Sequence, residues 1–141
     1  MEKDFNVAPF KVGDWVLVGG KITKASKALI AGNPADIRDI ALTPEILCDL
    51  DFCRAFAPCP DGTFNFWLES ESGYRFACNL DLNMIRLEDI LYRNAASVRG
   101  LQHIIAEDNR RSLFKGEFYF LVRRINKLFK IKQNERDANT L

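Results

Sequence analysis

The sequence has no apolar run approaching the roughly eighteen residues that a membrane-crossing helix needs. Its opening, "MEKDFNVAPF", also lacks the apolar stretch of a secretory signal. Together these absences point to a soluble intracellular chain with no integral membrane insertion. Neither GxGxxG nor GxxxxGK[ST] occurs, so the glycines carry no phosphate-loop signature and no cofactor is expected. Histidine is nearly absent. His103 stands alone, and a catalytic base there would need a nucleophile or carboxylate that sequence cannot place beside it. A solvent-facing or hydrogen-bonded side chain is the expectation. Cysteine is sparse and irregularly spaced: Cys48, Cys53, Cys59 and Cys78 are separated by four, five and eighteen residues. That matches neither a CxxC knuckle nor a redox pair. Reduced, mostly buried thiols are expected, with a zinc site built from these four, or from three with His103, as the sharper alternative. No catalytic motif is found, so the expectation is a protein that is not an enzyme.

What the sequence does contain is a globular composition. With 141 residues, 48% of them hydrophobic and 28% charged, the chain can form one ordinary domain without staples. Eleven Phe, two Trp and three Tyr make its core aromatic-rich. The net charge of +1 conceals an asymmetry. Residues 110–141 hold nine Lys or Arg against three acids, a balance of +6, while residues 1–109 hold eleven against sixteen, a balance of −5. A basic tail on an acidic body implies an anionic partner, or a tail that docks on its own body or on a second copy.

Local signals divide the chain into elements. In "FKVGDWVLVGGKITKAS" the glycine pair Gly19-Gly20 separates two strand-like runs, Asp14–Val18 and Lys21–Ala25, and suits a two-residue hairpin turn. Gly32-Asn33-Pro34 marks a loop before the strand-like "DIRDIAL". Thr43, Pro44 and Glu45 then supply an N-cap, a first helical residue and a first-turn acid, and Leu42 and Leu47 occupy the positions of a hydrophobic staple. The resulting helix ends near Asp51. Asp61-Gly62 opens an antiparallel hairpin in which Phe64, Phe66 and Leu68 alternate with Asn65, Trp67 and Glu69, and Tyr74, Phe76, Cys78 and Leu80 alternate with Arg75, Ala77 and Asn79. Met84–Leu87 adds a further strand. A second helix starts from Ser97 as N-cap, with Val98, Leu101, Ile104 and Ile105 on one face and Gly100 marking a point of close packing. The predicted fold is therefore a small α+β domain over residues 1–109: a mostly antiparallel, twisted sheet of about five strands with two to three helices.

The residues "FKVGDWV", then Ile40, Leu42, Thr43, Glu45 and Leu47 with Phe52 after them, a Gly-Phe hairpin, and "VRGLQHII" resemble short uncharacterised proteins of Bacteroidetes genomes and their phages. Val98, Leu101 and Gln102 match the closing motif of those proteins, whereas His103 stands where they usually have Asn. The resemblance implies an order of elements and a bacterial or phage origin, hence a cytoplasmic location in the host cell or a place in the phage particle. It implies no site residue, since those proteins carry no assigned activity. They stop soon after this helix, so residues from Arg110 onward look like an addition.

That addition, residues 110–133, reads as a basic amphipathic helix, followed by a polar tail over 134–141. Phe118, Leu121, Val122, Ile125, Leu128 and Phe129 share one helical face; Arg123, Arg124, Lys127 and Lys130 lie mainly on the other, with Arg110 and Arg111 just before them. Six such side chains, at about 1.5–3 kcal/mol each when buried, are too large a driving force to leave in water. Packing on the chain's own sheet, a groove or helix of another chain, or a membrane surface would each cover them. The expected function is a non-catalytic protein-interaction or assembly module attached through this stripe to another chain or a second copy. The alternative is nucleic-acid binding through Arg110, Arg111, Arg123, Arg124, Lys127 and Lys130.

Overall fold

The computed structural model of the chain describes residues 2–5, 9–32, 36–54, 65–112 and 114–139; Cys59, the Asp61-Gly62 turn and Phe64 lie outside them. The fold is mixed α+β and largely antiparallel, with nine strands in two sheets and four helices among the described residues. The larger sheet has the order β1-β9-β8-β7-β6-β5, and the smaller one β3-β2-β4.

The small sheet forms where the glycines place it. Strands β2 (Trp15–Val18) and β3 (Lys21–Lys24) pair antiparallel across Gly19 and Gly20, whose φ values of +56° and +79° belong to the tight turn that matches strand twist. Strand β4 (Ile37–Asp39) pairs with the other edge of β2. Between them lies α1 (Lys27–Gly32), started by Ser26, whose hydroxyl accepts the Leu29 N–H. Helix α2 (Pro44–Asp49) begins as its sequence predicts: the Thr43 side chain accepts the Ile46 N–H, and Leu42 and Leu47 are both buried. It ends near Asp51 as expected: Asp49 is its last residue, Leu50 its C-cap, and Asp51 turns into the left-handed region at φ 68°.

The large sheet is built on the aromatic hairpin, β6 (Phe66–Glu69) against β7 (Arg75–Asn79), with Phe66, Phe76 and Cys78 facing the core. Strand β8 (Met84–Leu87) follows as expected. The nine described strands in two sheets exceed the expected single sheet of about five, and three of them had no signal in the sequence. Strand β9 (Ile90–Arg93) has Ile90, Leu91 and Tyr92 all buried, so it shows no alternation. Strand β5 (Cys53–Arg54) is only two residues long, and β1 (Glu2–Asp4) joins β9 in parallel, with Lys3 opposite Tyr92 across most of the chain length.

Helix α3 (Val98–Arg111) starts at Ser97, whose hydroxyl accepts the Gly100 N–H. The close packing expected at Gly100 is real: a Cβ there would lie 2.0 Å from the Ala95 carbonyl oxygen. Ser112, in the left-handed region, ends the helix, and buried Asp108 accepts the Phe114 N–H to fold the chain back. Helix α4 (Phe120–Asn139) differs from its expected bounds at both ends. Glu117 and Phe118 belong to the turn before it, and the stretch read as a polar tail continues the helix to Asn139. Phe118, Leu121, Ile125 and Phe129 are fully buried in the same hydrophobic cluster as Trp15, Leu47, Phe76 and Leu101. As packed, the segment read as an addition to a 1–109 domain is a lid on its core.

Candidate functional site

The stripe and the basic face of α4 meet opposite fates. Phe118 packs edge-on against Phe76 of β7 at 5.2 Å between centroids, and Phe129 lies 6.0 Å from Trp15 of β2. Val122 and Leu128 are half-buried on the same cluster. Polar ties fix the seating: Trp15 Nε1 donates to Asn126 Oδ1 at 2.9 Å, Gln133 Nε2 donates to the Ile22 carbonyl, and the Ser72 N–H donates to Glu117 Oε1. Hydrogen bonding from Ser72, through its side chain first and its N–H second, holds the Glu117 carboxyl below its ordinary pKa. The stripe therefore does not present a free docking surface. Its cover is the chain's own body.

On the outward side Arg123, Lys127 and Lys130 are exposed at i, i+4 and i+7, between exposed Phe120 and Ile131. No acid occurs from Phe118 through Asn134 to offset them. Arg124 sits apart from this row. Its guanidinium lies 4.7 Å over the Phe120 ring, donates to the Leu50 carbonyl and faces Asp51 at 3.3 Å. Arg110 and Arg111 are exposed at the end of α3, with Arg111 3.6 Å from Glu107. The six cations read together from the sequence are thus split between two helices.

Sequence reasoning missed a second site, where α3 meets the start of β2. Residues Lys11–Asp14 form a turn in which Gly13 has φ +94°, and the Lys11 N–H donates to Asp14 Oδ2 at 2.7 Å. Asp14 is buried, and its two carboxylate oxygens lie 2.8 and 2.9 Å from His103 Nε2. A carboxylate only accepts, so Nε2 carries the proton and Nδ1 is the ring edge left for other partners. Phe5 packs edge-on to the imidazole at 5.3 Å. Beside it, Gln102 accepts the Trp15 N–H through Oε1 and donates from Nε2 to the Gly13 carbonyl. The neighbouring Arg99, also buried, grips Asp39 of β4 with two nitrogens at 2.7 and 3.1 Å and stacks over Phe10. The "RGLQH" stretch, whose Leu-Gln carried the resemblance, is in this fold the clasp that fastens α3 to the small sheet.

Two adjoining clefts flank the clasp and share Lys11, His103 and Ala106. The larger, about 420 Å3, lies between β1 and α3, with Phe5 and Tyr92 as its aromatic walls. The smaller, about 300 Å3, opens towards α4 beneath exposed Val12 and Tyr119. In the larger cleft Lys3 pairs with Glu107 at 2.6 Å, which holds the Glu107 carboxyl below its ordinary pKa. Burial, with Glu107 and Asp108 nearby, raises the Tyr92 hydroxyl to about 12. A signal for this site existed in the sequence: His103, Ala106, Glu107 and Arg110 recur at i, i+3, i+4 and i+7, a polar face with a small residue in its middle. What sequence could not supply was the partner, Asp14, 89 residues away.

The cysteines differ from expectation in their exposure. Cys78 is buried, and desolvation raises its thiol pKa, but Cys48 and Cys53 are exposed. Among the described residues no group of three or more His, Cys, Asp or Glu converges as metal ligands, and no helix is long and apolar enough to cross a membrane. No protein-family model, curated protein or solved structure matches the chain.

Proposed function

We propose that this protein is a non-catalytic protein-interaction or assembly module that docks an acidic surface of another protein chain on the outward face of α4. The observation that carries this reading is the exposed row Arg123, Lys127 and Lys130 set between exposed Phe120 and Ile131, with no acid in the surrounding stretch. Charges arranged in this way steer a complementary partner, and exposed apolar side chains at the two ends supply the desolvated anchors that charge alone does not. The attachment expected of the buried stripe passes to the opposite face of the same helix. Residues 1–109 carry a balance of −5, which disfavours a long polyanion lying across the body and favours a compact acidic patch. The resemblance to short proteins of Bacteroidetes genomes and their phages supports a phage or mobile-element origin, with the protein acting in the host cytoplasm or the phage particle.

Nucleic-acid binding is the second reading, supported by the Arg124 guanidinium stacked on Phe120, an arrangement able to receive a base. One pair of variants in the full chain separates the two. With Arg123→Glu and Lys127→Glu combined, affinity for a protein captured from the host and cross-linked through acidic peptides should fall at least about tenfold, with the circular dichroism unchanged. Retention of the unmodified protein on DNA or RNA, falling steeply with salt, would favour nucleic acid instead. A captured partner that binds the charge-reversed chain as tightly as the original one would end the proposal.

A further inference from the structure

We infer that the cleft between β1 and α3 is a binding site for a small organic monocarboxylate with a flat apolar body, seated against the Asp14–His103 clasp. The inference is independent of the α4 docking surface. At about 420 Å3 the cleft falls within the size range of small-molecule sites, and its walls set Phe5, Tyr92 and Ala106 beside five charged side chains and His103. Phe5 and Tyr92 supply aromatic edges to the cleft; both are buried and fixed, Phe5 between His103 and the Arg99 guanidinium and Tyr92 within β9 with the Lys3 ammonium 5.7 Å from its ring centroid.

Charge selects the ligand. Three cations, Lys3, Lys11 and Arg110, line the cleft against two carboxylates, Asp4 and Glu107, an excess of one among the lining groups; the Asp14 carboxylate behind His103 is buried and does not line it. Lys3 and Glu107 neutralise each other at 2.6 Å, and Asp4 accepts from the Asn94 amide at 3.1 Å. Lys11 and Arg110 are left exposed, and no ion pair ties either of them to another described residue. A single carboxylate between the two matches the excess charge, whereas a phosphate dianion would exceed it. A planar group is the natural match for Arg110, whose guanidinium presents paired donors. His103 closes the end of the cleft with its Nε2 edge already committed to Asp14, so the ring is held rigid while Nδ1 remains available.

The single histidine makes the test direct, because its imidazole resonances report on the two clefts that share it, and Arg110, which lines only the larger, tells them apart. Benzoate serves as the probe, benzamide as its neutral counterpart and inorganic phosphate as the small oxyanion, each titrated into the full chain while the His103 ring is followed by NMR. We expect a saturable shift with benzoate, with affinity at least about tenfold above that of benzamide, the value of one charge-assisted contact. Replacing the two exposed cations together, Lys11→Gln with Arg110→Gln, should remove that preference and leave the fold intact. Equal affinity for benzoate and benzamide, tighter binding of phosphate than of benzoate, an unchanged preference in the double variant, or no saturable shift with benzoate would each overturn the assignment.

Discussion

The inward face of α4 buries Phe118, Leu121, Ile125 and Phe129 against aromatic partners, while the start of β2 is fastened to α3 by the Asp14–His103 pair and the Gln102 amide. Trp15 belongs to both regions: its ring meets Phe129, its Nε1 meets Asn126 and its backbone N–H meets Gln102. The apolar seat is tolerant in shape and strong in sum. The polar clasp is demanding in geometry, because every desolvated atom in it must find its partner. From this contrast we conclude that the lid supplies stability and the clasp fixes how α3 and the small sheet meet, and so shapes the clefts beside it.

The largest loss is expected at the lid. Phe129→Ala removes a fully buried ring from its contact with Trp15 and should cost about 3–5 kcal/mol in chemical denaturation of the monomer. An unchanged denaturation midpoint would mean that α4 does not seat on its own body. At the clasp, Asp14→Ala leaves His103 and the Lys11 N–H without their acceptor, and about 3 kcal/mol should be lost. Asp14→Asn keeps an acceptor and should lose clearly less, which distinguishes a broken polar network from a simple cavity.

The contrast explains what could be read from the sequence. Helices α2, α3 and α4 announced themselves through Thr43, Ser97 and the periodic stripe, and the two hairpins through Gly19-Gly20 and the aromatic alternation, because those signals act over a few residues. Strand β9 hid because Ile90, Leu91 and Tyr92 are buried on both faces. Strand β1 hid because its partner, β9, lies at the far side of the chain in sequence. Periodicity showed that the α4 stripe needed a cover but carried no information on which surface would supply it. For the clasp even that half was missing, since neither a lone Asp nor a lone His declares a need.

Smaller effects sharpen the picture. Gly100→Ala gains about 1 kcal/mol of helix propensity, yet the added Cβ would meet the Ala95 carbonyl, so a net loss of about 1–3 kcal/mol is expected by thermal denaturation. A gain would show that the α3 start can yield. Smallest is the cleft-side pair Lys3–Glu107, worth no more than about 1 kcal/mol at its partial exposure. Because the folded Glu107 pKa is depressed, that contribution is complete above the ordinary glutamate pKa and disappears as the pH falls through the lower folded value. Glu107→Gln should therefore be slightly less stable than the parent at neutral pH and converge with it in acid.

The most direct test of the central claim, that α4 covers its stripe within its own chain and leaves the basic face free, is amide hydrogen exchange on dilute protein at several concentrations. The account predicts strong protection from Leu121 through Phe129 in the monomer, independent of concentration. Rapid exchange in the monomer, with protection appearing only as the protein associates, would contradict it.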